Sequence, residues 1–521
     1  MQKDVVLIRE NALRCFTAIA YFLFLWLFVK TDLLYYSIVP NGKPFPVFQT
    51  GMEFFLASLR RPLGPVDYLS AFLSQSYALA WLGALLTTAL AAAGYVGVLF
   101  IVRRISGRCI DLIACVPGLL GLVLIGGYAN PVPLLTYVDL ALSAAILFLT
   151  AVPAAARLRP NSVLPRQKPQ ARIGAFVRSP ASTLAAVAVA ALIAVFNHAD
   201  RDHARLTAFT CLGRWDDIIE TVNRFPLQAM DATTVFDLNA ALFHTGRLGS
   251  EMFNYPQPIS SVMNGALPGA SLWFPADIRF ARFHGDLGAV SKAQKVLYEI
   301  FVNETEHPYL LNFMAEIHLI KGQSAAAEMI YRRLRRDPVY GNRAAAMLRR
   351  LTADTTCLLL QNIRKQRALM PKRDTSALQL DLKQHCIDLL ESNPRNRMAF
   401  EYLLTICLLS GELRLFVDYL ERFGAPFPGP LPRHWAEAVA MYNDMSPPAD
   451  RRFADRVPRE IADESVAFKE TYLSIKKSCE KQGFDEAAFK RYAYNGLRER
   501  FGNSVLFFYF FQESGAVRWH R

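Results

Sequence analysis

Residues 309–338 read YLLNFMAEIHLIKGQSAAAEMIYRRLRRDP, and their apolar spacing decides the fold of the C-terminal half. Leu311, Met314, Ala315 and His318 recur at three- and four-residue intervals, which places them on one face of a helix. Gly322 follows as the residue best able to leave a helix through the left-handed region. Ala325, Ala326, Ala327, Ile330, Tyr331 and Leu334 then form a second face before Asp337-Pro338 stops it. The alanines allow close approach of the paired helix, and the larger side chains fill the groove between hairpins. Such a unit cannot bury its face alone and requires neighbours.

Outward from this unit, glycine-marked turns recur at Leu212-Gly213-Arg214-Trp215, Thr245-Gly246-Arg247-Leu248, His284-Gly285-Asp286-Leu287 and Lys321-Gly322-Gln323-Ser324. The glycines are 33, 39 and 37 residues apart, the period of helix-turn-helix solenoids. The stretch 201–352 resembles a tetratricopeptide-type repeat in degenerate form, with the Trp, Tyr and Pro consensus positions only partly filled. A further hairpin runs from Asn393-Pro394 through Phe400, Tyr402, Leu403, Cys407 and Gly411 to Val417, Leu420 and Phe423. We therefore expect helical repeats over 198–352, a basic linker at 353–375 with Arg364, Lys365, Arg367, Lys372 and Arg373, and a second helical-repeat block over 376–521. The aromatic run Val505-Leu506-Phe507-Phe508-Tyr509-Phe510-Phe511 is too short to cross a membrane. It reads as a closing helix buried on the preceding hairpins, or as a contact for membrane or partner.

Toward the N-terminus the composition changes near residue 197. Five apolar stretches, about 12–29, 78–102, 110–128, 132–152 and 181–196, precede that point and none follows it. The expected fold class is all-α: a transmembrane bundle of about five spans over 1–197, then a tetratricopeptide-like α-solenoid. No small-residue cleavage site follows the first stretch, so it is not read as a secretory signal; Thr31-Asp32-Leu33-Leu34-Tyr35-Tyr36 reads instead as an aromatic membrane boundary.

Charge orients the bundle. Of the net +13, the segment up to Asn197 carries 16 Lys+Arg against 7 Asp+Glu. Arg103, Arg104 and Arg108 crowd one loop, and Arg157, Arg159, Arg166, Lys168, Arg172 and Arg178 another, whereas Ala129-Asn130-Pro131 is uncharged. A cytoplasmic N-terminus and five crossings put both basic loops inside and everything after Asn197 outside, in the periplasm of a Gram-negative cell with a multi-pass inner-membrane anchor. The 30–77 segment is then an outer loop. Its 47–61 portion has Phe48, Met52, Phe55, Leu56 and Leu59 at helical spacing opposite Gln49, Glu53, Arg60 and Arg61. That suits a helix in the membrane interface or, equally, a re-entrant cover packed on the bundle.

Because the basic excess sits mostly in the membrane half, no nucleic-acid partner is expected. The eight cysteines show no metal or redox spacing and read as buried small hydrophobes, with a Cys386–Cys407 pair as the other reading. Asp111 lies near Arg104 and Arg108, which can neutralise it, while Asp139 lies inside the fourth span, where a carboxylate is costly unless hydrogen-bonded, protonated or used. At the membrane exit, His198, Asp200, Asp202 and His203 are metal-ligand types, although the two aspartates equally suit a helix start. Arg332, Arg333, Arg335 and Arg336, with Arg349 and Arg350 nearby, can dock an acidic partner or a lipid headgroup, or form a solvated face. No HExxH, Gly-x-Ser-x-Gly or Walker pattern is present, so neither catalytic residues nor a cofactor are expected.

Over most of its length the chain also resembles an uncharacterised family of Bacteroidota membrane proteins. The resemblance rests on Pro65-Val66-Asp67-Tyr68-Leu69 with Phe72-Leu73-Ser74-Gln75, on Arg214-Trp215-Asp216-Asp217-Ile218-Ile219, and on Asn239-Ala240-Ala241-Leu242. Leu63-Gly64-Pro65 departs from the paired glycines of that pattern. The resemblance implies a multi-span region followed by a periplasmic helical-repeat domain, and no reaction. Two functions follow as expectations: a scaffold binding an envelope protein through its repeats with lipid around its spans, or a membrane enzyme or transporter for a lipid-linked or envelope substrate with the repeats as accessory. In the second reading Asp32, Glu53 and Asp67 stand isolated in the outer loop.

Overall fold

The computed structural model describes residues 2–36, 47–60, 64–106, 111–126, 180–196, 199–227, 230–258, 277–303, 307–354, 360–371 and 381–512. Among these all regular structure is helical. The chain folds as two compact units, one of Met1–Leu212 with Leu297–Cys357 and one of Gly213–Val296 with Leu358–Arg521.

In the first unit, Gln2–Leu23 runs on through a π-helical turn, Phe24–Val29, and stops at Lys30, whose left-handed backbone (φ 56°) returns its N–H to the Leu25 carbonyl. It packs against Ala80–Ser106 and Pro180–Phe196, and both of these hold Val116–Gly126. Small residues set the spacing: a Cβ at Gly94 would touch Pro117 at 3.3 Å, and one at Gly118 would touch Ala91 at 3.4 Å. Two helices, over Ile8–Val29 and Ala80–Val102, are long and apolar enough to cross a membrane, and only 22% and 17% of these windows is buried. Most of each window is therefore uncovered in this structure.

The expected five spans are thus two among the described residues. The 110–128 stretch divides into Asp111–Ala114 and Val116–Gly126, because Pro117 has no N–H for the helical bond across the junction. Pro180–Phe196 reaches 17 residues, short of the roughly 20 that a bilayer core requires. The 132–152 stretch lies outside the described residues.

The same unit holds the hairpin read first from the sequence. Pro308–Ile320 and Ser324–Leu334 pair tightly, and Gly341–Ala353 packs on the second of them. At the turn Gly322 (φ 76°) donates to the Leu319 carbonyl and Gln323 to that of His318, the paired bonds of a Schellman cap.

The second unit repeats this chemistry. Gly246, Gly288, Gly411 and Gly483 all take positive φ, and each closes the same two bonds with the residue after it. Gly285, expected as the third turn, lies inside Ile278–Leu287, and Gly288 ends that helix instead. Trp215–Val222 pairs with Ala232–His244, Leu382–Ser392 with Arg397–Leu409, and Arg459–Lys481 with Glu486–Phe501. All twelve residues Met398–Leu409 are buried, so Arg397–Leu409 is a central helix covered on every side, with Glu401 paired to Arg397. Val505–Gln512 is a buried closing helix: Val505, Leu506, Phe507, Phe508 and Phe511 are covered, and the Val505 N–H is held by Glu437 at 2.9 Å. Cys386 and Cys407 are buried free thiols, not a disulfide.

Candidate functional site

The arginine run sits where the hairpin meets the loop between the two long apolar helices. In Ser324–Leu334 the buried positions are Ala327, Tyr331 and Leu334, spaced four and three apart, so Arg332, Arg333, Arg335 and Arg336 face outward. The turn after them is fixed by Asp337, whose Oδ1 accepts the Val339 and Tyr340 N–H groups at 2.8 and 2.7 Å. Burial raises the Asp337 pKa, and these two bonds oppose that shift.

This turn presents the Arg336 carbonyl to the loop. Thr50 donates to it from its N–H at 2.7 Å and from Oγ1 at 2.9 Å. Three residues on, Glu53 accepts from Arg336 Nη1 at 3.3 Å. Between the two elements lies a cleft of about 500 Å³, walled by Gln49, Glu53 and Ala57 on the loop side and by Arg332, Arg333 and Arg336 on the other. The loop helix, Met52–Leu59, uses the Glu53/Ala57 side for this and leaves Met52, Phe55, Leu56 and Leu59 exposed as one stripe. Within the 47–61 segment Phe48 is buried, whereas no residue of Met52–Leu59 is, and the Glu53 side of that helix meets the repeat hairpin. Glu53 is not isolated; its partner is 283 residues away, a separation that a motif search does not register.

A second attachment lies in the same unit. Tyr35 is fully buried, stacks edge-on against His307 at 5.0 Å, and gives its carbonyl to His307 Nε2 at 3.0 Å. Tyr35 and Tyr36 therefore seat the repeat hairpin through His307 and Tyr309. Arg205 adds a third tie, donating to the Phe28 carbonyl that the π-turn exposes, at 2.6 Å.

Within the helical bundle, Asp111 is fully buried and meets Arg14, at 3.1 Å, and Tyr95. The partner expected from the flanking loop was Arg104 or Arg108; Arg14 comes from the first helix, 97 residues away. A cavity of about 260 Å³ adjoins this pair, lined by Thr17, Ala18, Tyr21, Ala91 and Val187 among others. Asp139 lies outside the described residues.

Of the metal-ligand candidates, His198 lies outside the described residues, as does the side chain of Asp200. Asp202 accepts from Arg205 at 3.2 Å, and His203 sits beside it in Ala199–Leu212. Among the described residues no three His, Cys, Asp or Glu side chains gather to hold an ion.

Sequence reading missed two polar clusters in the second unit. Arg279 bonds Asp277 at 2.8 Å and Asp237 at 2.9 Å; burial pushes the Asp237 carboxyl up to about 6 against the pull of Arg279. His385 is buried with its pKa lowered to about 4, first by desolvation and then by Lys292, and the His284 pKa is lowered too, first by desolvation and then by Lys292 and His385. Asp277 is local to Arg279, but Asp237 lies 42 residues away and His385 far from His284 and Lys292, so no motif marks these groups.

Fold and site together define a helical protein with two apolar helices of membrane-spanning length and a set of glycine-capped helical hairpins. Residues 6–164 and 132–512 match a family of unknown function (DUF6057), and the chain belongs to that family. No curated protein and no solved structure matches it.

Proposed function

We propose that the chain is a membrane-anchored helical scaffold whose repeats, stacked as a solenoid, bind another protein of the bacterial envelope on the periplasmic side. The observation that carries this reading is the clamp from Thr50 and Glu53 to Arg336. It fixes a repeat hairpin directly to the loop joining the two long apolar helices. A hairpin held there does not swing freely on a linker, which lowers the ordering cost of offering a docking surface.

The clamp also supports the location by parity. A loop bonded to a hairpin lies on the same side of a membrane as that hairpin, so the chain between them crosses an even number of times. Ala80–Val102 supplies one crossing after the loop, so an even count asks for an odd number more before the hairpin, and the Arg205 bond to the end of the first helix asks for the same parity at residue 199 onward. With the basic loops inside, the shared side is the periplasm. In the second unit, Val466 and Leu473 stand exposed two turns apart on Arg459–Lys481 and offer an apolar contact line for a protein.

The test is recovery of the full-length chain after crosslinking in intact cells. One envelope protein at constant stoichiometry, lost on V466E/L473E substitution while the chain stays folded, is the expected result. Recovery of the chain alone at every crosslinker length contradicts the scaffold.

A further inference from the structure

We propose that the arginine cleft binds the phosphate headgroup of an anionic phospholipid, with the stripe of Met52, Phe55, Leu56 and Leu59 lying among the acyl chains of the same leaflet. The proposal rests on the membrane reading above and names a ligand that the scaffold reading does not require.

Three observations carry it. The stripe repeats at intervals of three, one and three residues and is exposed throughout, so one side of Met52–Leu59 is apolar and uncovered while the other is fixed to the hairpin. The loop leaves one long apolar helix at Val29 and enters the next at Ala80, and Phe48, packed among Phe54, Tyr68 and Phe72, holds it compact between those ends. On the membrane reading the loop begins and ends at one face of the bilayer, where an uncovered apolar stripe meets lipid.

The charges complete the match. Arg332, Arg333 and Arg336 wall the cleft against the carboxylate of Glu53, and Arg332 also pairs with Glu328 one turn back on its own helix. Both ion pairs there are solvent-exposed, with Glu53 86% and Arg332 72% accessible, so water already screens them and a phosphate can replace either carboxylate. Guanidinium groups meet phosphate oxygens in bidentate fashion, which an exposed carboxylate on a flexible stem does not outbid. An acidic protein segment would satisfy the arginines and leave the apolar stripe in water, whereas a lipid satisfies both.

The experiment uses the purified full-length chain in a mild uncharged detergent, titrated with dioleoylphosphatidylglycerol, dioleoylphosphatidylcholine, inorganic phosphate or poly-glutamate, with bound species counted by native mass spectrometry. We expect phosphatidylglycerol to be retained about tenfold over phosphatidylcholine, less than three arginines at a lipid surface would supply alone, because Glu53 and Glu328 offset part of their charge. Combined R332Q/R333Q/R336Q substitution should bring the ratio to about one, and Glu53→Gln, which removes a competing carboxylate, should raise it. Equal retention of the two lipids overturns the proposal, as does a triple variant that folds like the parent and keeps the preference. Inorganic phosphate or poly-glutamate competing at the same concentration as the lipid would reassign the cleft to free anions or to an acidic protein. Release of the chain from cells without detergent would instead remove the membrane reading itself, a failure distinguishable from the others because it precedes any lipid titration.

Discussion

With its Nδ1 accepting the Tyr309 N–H at 3.1 Å, the His307 ring carries its proton on Nε2 and donates it to the Tyr35 carbonyl at 3.0 Å. One neutral imidazole thus caps Pro308–Ile320 and ties it to the segment after the first long helix. Burial lowers the His307 pKa to about 4 from the ordinary 6.5. Protons therefore bind the unfolded chain more readily than the fold between these values, so the stabilising contribution is complete above pH 6.5 and is lost as pH falls toward 4. The His307→Asn variant keeps the cap and gives up the Tyr35 bond. Its melting temperature should fall below the parent's at pH 7.5, with the gap narrowing as pH drops through this window. A second prediction concerns Arg279: Arg279→Met leaves Asp237 and Asp277 buried without their cation and should cost about 3–5 kcal/mol in chemical denaturation, much of it recovered when Asp237 is also made Leu. Neither residue stood out in the sequence. A histidine or an arginine gains its role from partners that only folding brings near, and single-residue chemistry is the least legible scale of this chain.

Helices and their turns were far more legible, because periodicity and glycine are local. The Leu311/Met314/His318 face, the Gly322 cap and the Asp337 stop all lie where the 309–338 stretch implies, and the same reasoning located the hairpin around Gly411. It failed at Gly285, where two glycines lie three residues apart and only backbone geometry selects Gly288 as the left-handed one. It also under-read 47–61: amphipathicity marked the helix, but the partner of its polar side was invisible. Gly322 has open space around a would-be Cβ, so Gly322→Ala isolates the backbone strain of a left-handed alanine and should destabilise by about 1 kcal/mol. The same change at Gly288, where a Cβ would come within 2.7 Å of the Leu369 carbonyl oxygen, should cost clearly more. Thermal denaturation of the two variants side by side checks the ordering.

At the scale of the whole molecule, composition alone separated an apolar first part from a polar helical remainder, and the residues matched by the family run across both. What composition did not disclose is that Leu297–Cys357 belongs to the same compact unit as the apolar helices. That membership depends on bonds such as Thr50 to Arg336 and Tyr35 to His307, hundreds of residues apart, which no window along the chain detects. On it rests the central proposal, that the outer loop and the 309–338 hairpin share one side of the membrane, with the basic loops making the periplasm the proposed side. The most direct test is a topology map with a phosphatase active only outside the cytoplasm and a fluorescent protein active only inside it, fused after Arg201 and after Arg521. Phosphatase activity and no fluorescence at both positions is the predicted result. Fluorescence at both would mean an odd number of crossings after the loop or an inverted bundle, and would contradict the periplasmic scaffold.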